Sequence, residues 1–189
     1  MIASQNRAGW FGASDTARIM GRWDTPSFAI WWLEKLGIVQ RHIITPAMRA
    51  GTHYEHRILD VLGISQRDRQ IKIPALRLRV NLDGEMWDCV KEIKTHKHPI
   101  FKVTRGYWQQ CQVQMFASGK WCEIVAYKFT GEEYRNYFLP IDPQRLSFHP
   151  IAYDPGWVER EYLPRLEYLA FCLRRRLTPD AFRFRQSKG

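Results

Sequence analysis

The apolar and polar positions of this chain change their rhythm four times along its length. The first third is helical. Gly12-Ala13-Ser14-Asp15-Thr16-Ala17 opens a short helix, with Ser14 or Asp15 placed to cap free backbone N–H groups ahead of Ile19 and Met20, and Gly21 ends it. Thr25-Pro26 starts a second helix over 27–36. Its Phe28, Ile30, Trp31, Trp32, Leu33 and Leu36 are apolar nearly all round, which predicts a largely buried helix before Gly37 stops it. Thr45-Pro46 repeats the start signal for a third helix running to about Leu62, closed by Gly63.

From Gln70 the pattern becomes that of strands. Segments 70–74, 76–82 and 87–94 show alternation and β-branched content, with Asp83-Gly84 as a turn signal. Helical spacing returns over 105–117 and stops at Gly119; two further strands are predicted at 122–129 and 134–140. Residues 155–176 read as a last amphipathic helix, kinked at Pro164, and the basic tail 176–189 is expected to be mobile at its end. There is no internal repeat. This order predicts an α/β or α+β fold in which helices flank a central sheet around one core, with residues 1–189 forming a single domain.

Composition adds a partner to this outline. With 189 residues, 45% of them hydrophobic, the chain can bury a substantial core. The N-terminus lacks the layout of a signal peptide and no apolar run reaches membrane-spanning length, so the expectation is a soluble cytoplasmic protein without a membrane partner. Cys89, Cys111, Cys122 and Cys172 form no C-x-x-C pair and read as reduced core residues. The net charge of +10, from 29 Lys and Arg against 19 Asp and Glu, favours a polyanion. Nucleic acid is the first candidate, although basic proteins also bind anionic membranes. Eight Trp and eight Tyr could stack on bases or fill the core.

The chemistry concentrates in residues 81–95. On a strand, Glu92 and Lys94 point to one face and Ile93 to the other. Asp83, at the turn from the preceding strand, can bring a second carboxylate beside Glu92 if the hairpin makes the strands neighbours. An Asp, a Glu and a backbone carbonyl such as that of Ile93 suit magnesium, which prefers oxygen ligands; Lys94 can orient a metal-bound water or stabilise developing charge. The alternatives are an exposed ion pair and an ordinary turn. Glu55 follows Gly51 by four positions and precedes Leu59 by four, on or beside the inward stripe of its helix. An inward carboxylate needs a metal-water network or a basic partner.

Four blocks stand in order: Arg7 with Gly12-Ala13-Ser14-Asp15; Ala47 to Glu55; Asp83-Gly84 with Glu92-Ile93-Lys94; and Tyr107-Trp108-Gln109-Gln110-Cys111-Gln112-Val113-Gln114-Met115. In this order they resemble the PD-(D/E)XK nuclease superfamily, and within it the phage lambda exonuclease or YqaJ-type recombinase nucleases. The resemblance covers most of residues 7–128. It implies a restriction-endonuclease-like core with a mixed sheet. It also implies that Asp83, Glu92 and the Ile93 carbonyl bind Mg²⁺ (with Mn²⁺ as a substitute), that Glu55 completes the acidic site and that Lys94 assists the attacking water. Arg7 and Ser14, seven residues apart as in the lambda enzyme, resemble the pair that receives a terminal 5′-phosphate, and a guanidinium with a hydroxyl beside a helix start is chemically suited to an anion. Tyr107 and Gln110 match the family's Tyr-x-x-Gln. Gln110 and Gln114 lie one turn apart, able to contact DNA or to position a catalytic group, whereas Gln112 reads as a polar helix flank.

Leu82 replaces the proline that many relatives carry before the metal-binding Asp, and eight residues between Asp83 and Glu92 imply a tight hairpin. The iron-sulfur CRISPR adaptation nucleases share the core but need a cysteine cluster this chain lacks. The resemblance implies a 5′ to 3′ exonuclease on linear double-stranded DNA, leaving 3′ overhangs for a single-strand annealing protein and working as a homotrimer ring. The competing readings are a structure- or site-specific endonuclease on the same core and a catalytically inactive DNA-binding module.

Overall fold

A computed structural model describes residues 7–40, 45–133 and 135–186. Helices α1 (Thr16–Ile19), α2 (Pro26–Lys35) and α3 (Pro46–Val61) precede the sheet. The Thr-Pro pairs start α2 and α3 as expected: the side chains of Thr25 and Thr45 accept from the backbone N–H of Phe28 and Met48, and the following proline has no N–H to leave unpaired.

Five strands lie in the spatial order β1 (Gln66–Ile73), β2 (Leu78–Glu85), β3 (Cys89–His96), β4 (Trp121–Lys128) and β5 (Leu146–Ile151). Every pairing is antiparallel except β3 with β4. Parallel neighbours need a crossover, and α4 (Arg105–Ser118) supplies it. The chain then runs through α5 (Pro155–Trp157), a π-helical stretch at Val158–Tyr162, α6 (Leu163–Arg175) and α7 (Ala181–Gln186). This is the mixed, helix-flanked sheet read from the element order. The sheet divides the expected core in two: Leu78, Val80, Val90 and Ile124 pack with Trp31, Val113 and Leu166, whereas Ile93, Val125 and Tyr127 pack with Tyr54 and Ile58 of α3. All four cysteines are buried and free. No helix among the described residues is long and apolar enough to cross a membrane.

Some local expectations are corrected. Described residues 135–140 form turns rather than a strand, and the fifth strand lies later, at Leu146–Ile151. Arg57 of α3 donates to the carbonyls of Tyr137 and Leu139, taking acceptors that a strand would offer a neighbour. Helix α2 buries Phe28, Trp31 and Trp32 but leaves Ile30 and Leu33 exposed, because only one side of it meets the core. Trp87 lies in the β2–β3 turn, not in a strand, and is 93% exposed. Pro164 is accommodated by the π-helical stretch just before it, where a wider turn relieves the clash of the ring with the preceding carbonyls. The basic tail carries α7, docked through buried Phe184 on Trp23 and Tyr168, with ring centroids 5.2 and 5.4 Å away. Residues 187–189 lie outside the described set.

Candidate active site

The site lies where β2 parts from β3. These strands pair only at Gly84 with Lys91 and Glu85 with Val90. One step further along, Asp83 would oppose Glu92, and there the ladder stops. Oδ2 of Asp83 accepts from the Ile93 N–H at 2.9 Å, so the carboxylate itself spans the gap. Further back, Phe11 forms an isolated bridge with Leu78 of β2: its N–H donates to the Arg77 carbonyl and its carbonyl accepts from Arg79, both at 2.8 Å. The segment from Arg7 to Asp15 is thereby anchored beside the parting strands.

The gap opens into a cleft of about 590 Å³ lined by Arg7, Ser14, Glu55, Asp83, Glu92, Ile93, Lys94 and Gln110, among others. Eight of the ten residues singled out from the sequence are therefore brought together. Tyr107 stands behind them, with its ring centroid 5.2 Å from Lys94 Nζ. Gln114 is fully buried and donates its amide to Oε2 of Glu92, so a direct contact with DNA is sterically closed to it. Gln110 donates to Oε1 of Glu92 at 2.6 Å, and Lys94 donates to the same oxygen. The two glutamines one turn apart on α4 thus orient a carboxylate, the second of the roles open to them. Gln112 is not a polar flank: it is buried, donating to the Ala152 carbonyl at 2.8 Å and accepting from the Asp154 N–H at 2.7 Å.

The electrostatics are those of a surplus of negative charge. Burial, then the Glu92 and Glu55 carboxylates, push Asp83 well above the ordinary carboxylate range. Glu55 rises for the same reasons, burial first and Glu92 next. Burial alone would lower the Lys94 ammonium, but Glu92 and Asp83 beside it hold it above its usual value. Three carboxyls crowd one ammonium, and a divalent cation among them would relieve the mutual repulsion that raises Asp83 and Glu55. The donor set is also right: carboxylate oxygens of Asp83, Glu92 and Glu55 and the Ile93 carbonyl are the hard ligands that magnesium takes.

Sequence reasoning missed several residues here. His56 and Asp68 stand with Glu55, their potential ligand atoms all within 4.8 Å of one another, and His56 Nε2 lies 3.0 Å from Asp68 Oδ2. Asp68 holds a left-handed backbone (φ 54°) opposite Asp83, where the β1–β2 ladder skips a pair; no sequence pattern marks such a position. Asp15 caps nothing with its side chain toward α1. It is a buried partner of Lys35, the last residue of α2. Arg79 was legible: with Asn81 and Asp83 it makes the less buried half of an alternating strand.

The mixed five-stranded sheet flanked by helices is the fold expected from the resemblance. Two solved structures share that fold. The crystal structure of an alkaline exonuclease from Laribacter hongkongensis is 22% identical over 90% of this chain and 94% of that one, with a TM-score of 0.61. A phage related exonuclease from Haemophilus somnus 129PT is 12% identical over 88% of this chain and 96% of that one, with a TM-score of 0.66. The sequence itself matches no protein-family model and no curated protein.

Proposed function

We propose that this chain is a divalent-metal-dependent deoxyribonuclease, acting as an exonuclease on linear duplex DNA. The observation that carries the proposal is the cleft in which Asp83, Glu92 and Glu55 meet around the single ammonium of Lys94, with Asp83 and Glu55 pushed up by burial and by the carboxylates around them. The similarity in fold to two exonucleases supports it. Asp83, Glu92, Glu55 and the Ile93 carbonyl would hold Mg²⁺ or Mn²⁺, and the chemistry such an ion supplies is polarisation of a phosphoryl oxygen and acidification of a bound water. Lys94, fixed by Glu92, holds positive charge where the attacked phosphate gains negative charge. Gln110 and Gln114 keep Glu92 from turning away.

Digestion of end-labelled linear duplex with magnesium or with EDTA tests activity, metal and polarity together. Label should be released from 5′ ends in magnesium and retained in EDTA; covalently closed circles should survive. Cleavage of closed circles would make the chain an endonuclease on the same core, and no cleavage of any DNA would reject the enzyme reading. Production of 3′ overhangs, an annealing partner and a homotrimer ring belong to the same proposal on the strength of the resemblance, and sedimentation with and without duplex tests the ring.

A further inference from the structure

Beside the cleft, the chain between β4 and β5 holds an aromatic ring out in water. Phe138 is 88% exposed, yet the backbone on either side of it is fastened. Arg57 of α3 donates to the carbonyls of Tyr137 and Leu139, the residues before and after it. The Tyr54 hydroxyl is shared between the carbonyls of Glu133 and Asn136, 3.3 Å from each, and the Phe138 N–H donates to Asn136 Oδ1 at 3.1 Å. Tyr137 stacks on His53, with ring centroids 4.8 Å apart and planes 17° from parallel, and His53 lines the cleft. Arg49 stands four residues before His53 and Arg57 four after it, so the three share one face of α3. Arg49 is exposed and, among the described residues, has no ion-pair partner.

We propose that Phe138 and Arg49 form a subsite at the rim of the cleft for an unpaired strand of nucleic acid, one base stacking on the Phe138 ring and a backbone phosphate meeting Arg49. An apolar ring left in water is favourably covered by a ligand. Because both neighbouring carbonyls are tied to α3, the ring is presented without a loop having to be ordered when the ligand arrives. Every base offers a flat π-face, but inside a duplex those faces are covered by their neighbours, so the ring selects an unpaired strand whatever its sequence. The guanidinium groups of Arg49 and Arg57 place positive charge beside this aromatic group. That pairing of charge with a flat ring suits a phosphate backbone carrying bases and disfavours an apolar protein surface, the other occupant an exposed ring could take. Nucleic acid as the ligand rests on the nuclease reading; the stacking role of Phe138 is separable from cleavage.

The test is binding in EDTA, by fluorescence anisotropy, of a blunt duplex, a duplex with a 5′ single-stranded extension and a duplex with a 3′ extension. The parent should bind at least one extended duplex about tenfold more tightly than the blunt one, the worth of one stacked base, and the favoured extension identifies the strand that crosses the rim. Phe138→Ala and Phe138→Leu should both lose that advantage while keeping the parent's affinity for blunt duplex and its melting temperature; Phe138→Trp should retain it. Leucine is apolar but has no π-face, so these variants separate stacking from plain apolar contact. Arg49→Gln should weaken binding of the favoured duplex and reduce the slope of log affinity against log salt by about 0.7, the loss of one single-strand phosphate contact. A parent that binds all three duplexes alike, or a Phe138→Leu variant that keeps the advantage, overturns the proposal even if the protein cleaves DNA. So does a Phe138→Ala variant that sediments differently from the parent without DNA and binds every duplex as the parent does, since the ring would then serve a contact between copies. Preference for an extended strand in a protein that cleaves nothing keeps the subsite and removes the nuclease.

Discussion

The two ends of the cleft are built on one plan with the signs exchanged. At the acidic end Lys94 stands among Asp83, Glu92 and Glu55 and is held by Glu92; at the basic end Asp15 stands among Arg7, Arg79 and Lys35 and is held by Lys35. In each case the minority charge is bound to one neighbour, and groups of the majority sign outnumber it along the cleft. A third buried pair shows what happens without a surplus. Glu133, under β4, accepts from both Arg145 and Tyr127 and from the Thr130 N–H, and nothing in its charge calls for a ligand. Burial of charge alone does not make a site. An imbalance that the protein leaves for something else to cancel does.

The strongest way to break this contrast is to remove the minority cation at the acidic end. Lys94→Ala should lower turnover by about 10²–10³-fold, the loss seen when one stabilising donor is removed from a reacting centre, while DNA affinity measured in EDTA changes little. Comparable turnover in variant and parent would reject the part proposed for Lys94 in the reaction. Gln114→Leu should come next. It strips a buried donor from Glu92, and titration of Mg²⁺ or Mn²⁺ should show affinity falling by about 10- to 100-fold, with no change in the preference for 5′-phosphate ends expected of Arg7 and Ser14. A shift in that preference would mean that the two ends are not separate.

Thermal melts give a smaller effect. Mg²⁺ should raise the melting temperature of the parent, because binding to the folded state alone stabilises it. Asp83→Asn should abolish that rise, whereas Arg79→Ala should keep it. The balanced pair should do least at the cleft. Burial would raise the Glu133 carboxyl, but Arg145, Tyr127 and Thr130 hold it down at about 2 against an ordinary value of 4.5. A carboxyl lowered on folding contributes stability that is complete above its unfolded value and is lost as pH falls toward its folded one. Melting temperature should therefore drop between about pH 4.5 and 2, and less so in Glu133→Gln, with end preference and metal affinity unmoved at neutral pH.

Much of this protein is visible in its sequence. The Thr-Pro starts, the glycine stops and the alternation through Leu82 mark α2, α3 and β2 because these signals are local: a cap, a backbone turn and a two-residue period need only neighbours along the chain. Glu92, Ile93 and Lys94 could be placed on opposite faces of one strand for the same reason. The strand expected at 134–140 failed on a remote event, since Arg57, some eighty residues earlier in the chain, takes carbonyls that a strand would have used. The same limit hid the buried partnership of Asp15 and Lys35. Asp15 alone reads as a helix cap.

Residue order by itself determined the types of the elements up to β4, the strand that carries Glu92 and Lys94, and the basic charge that favours a polyanion. Tertiary structure alone decided that β2 would leave β3 after two pairs, that Phe11 would take the vacated edge and that Arg7, Arg79 and Ser14 would stand in one cleft with Asp83. Propensity and periodicity act over a few residues, whereas the sign and size of an unbalanced charge depend on every group that folding brings within a few ångströms, whatever its place in the chain.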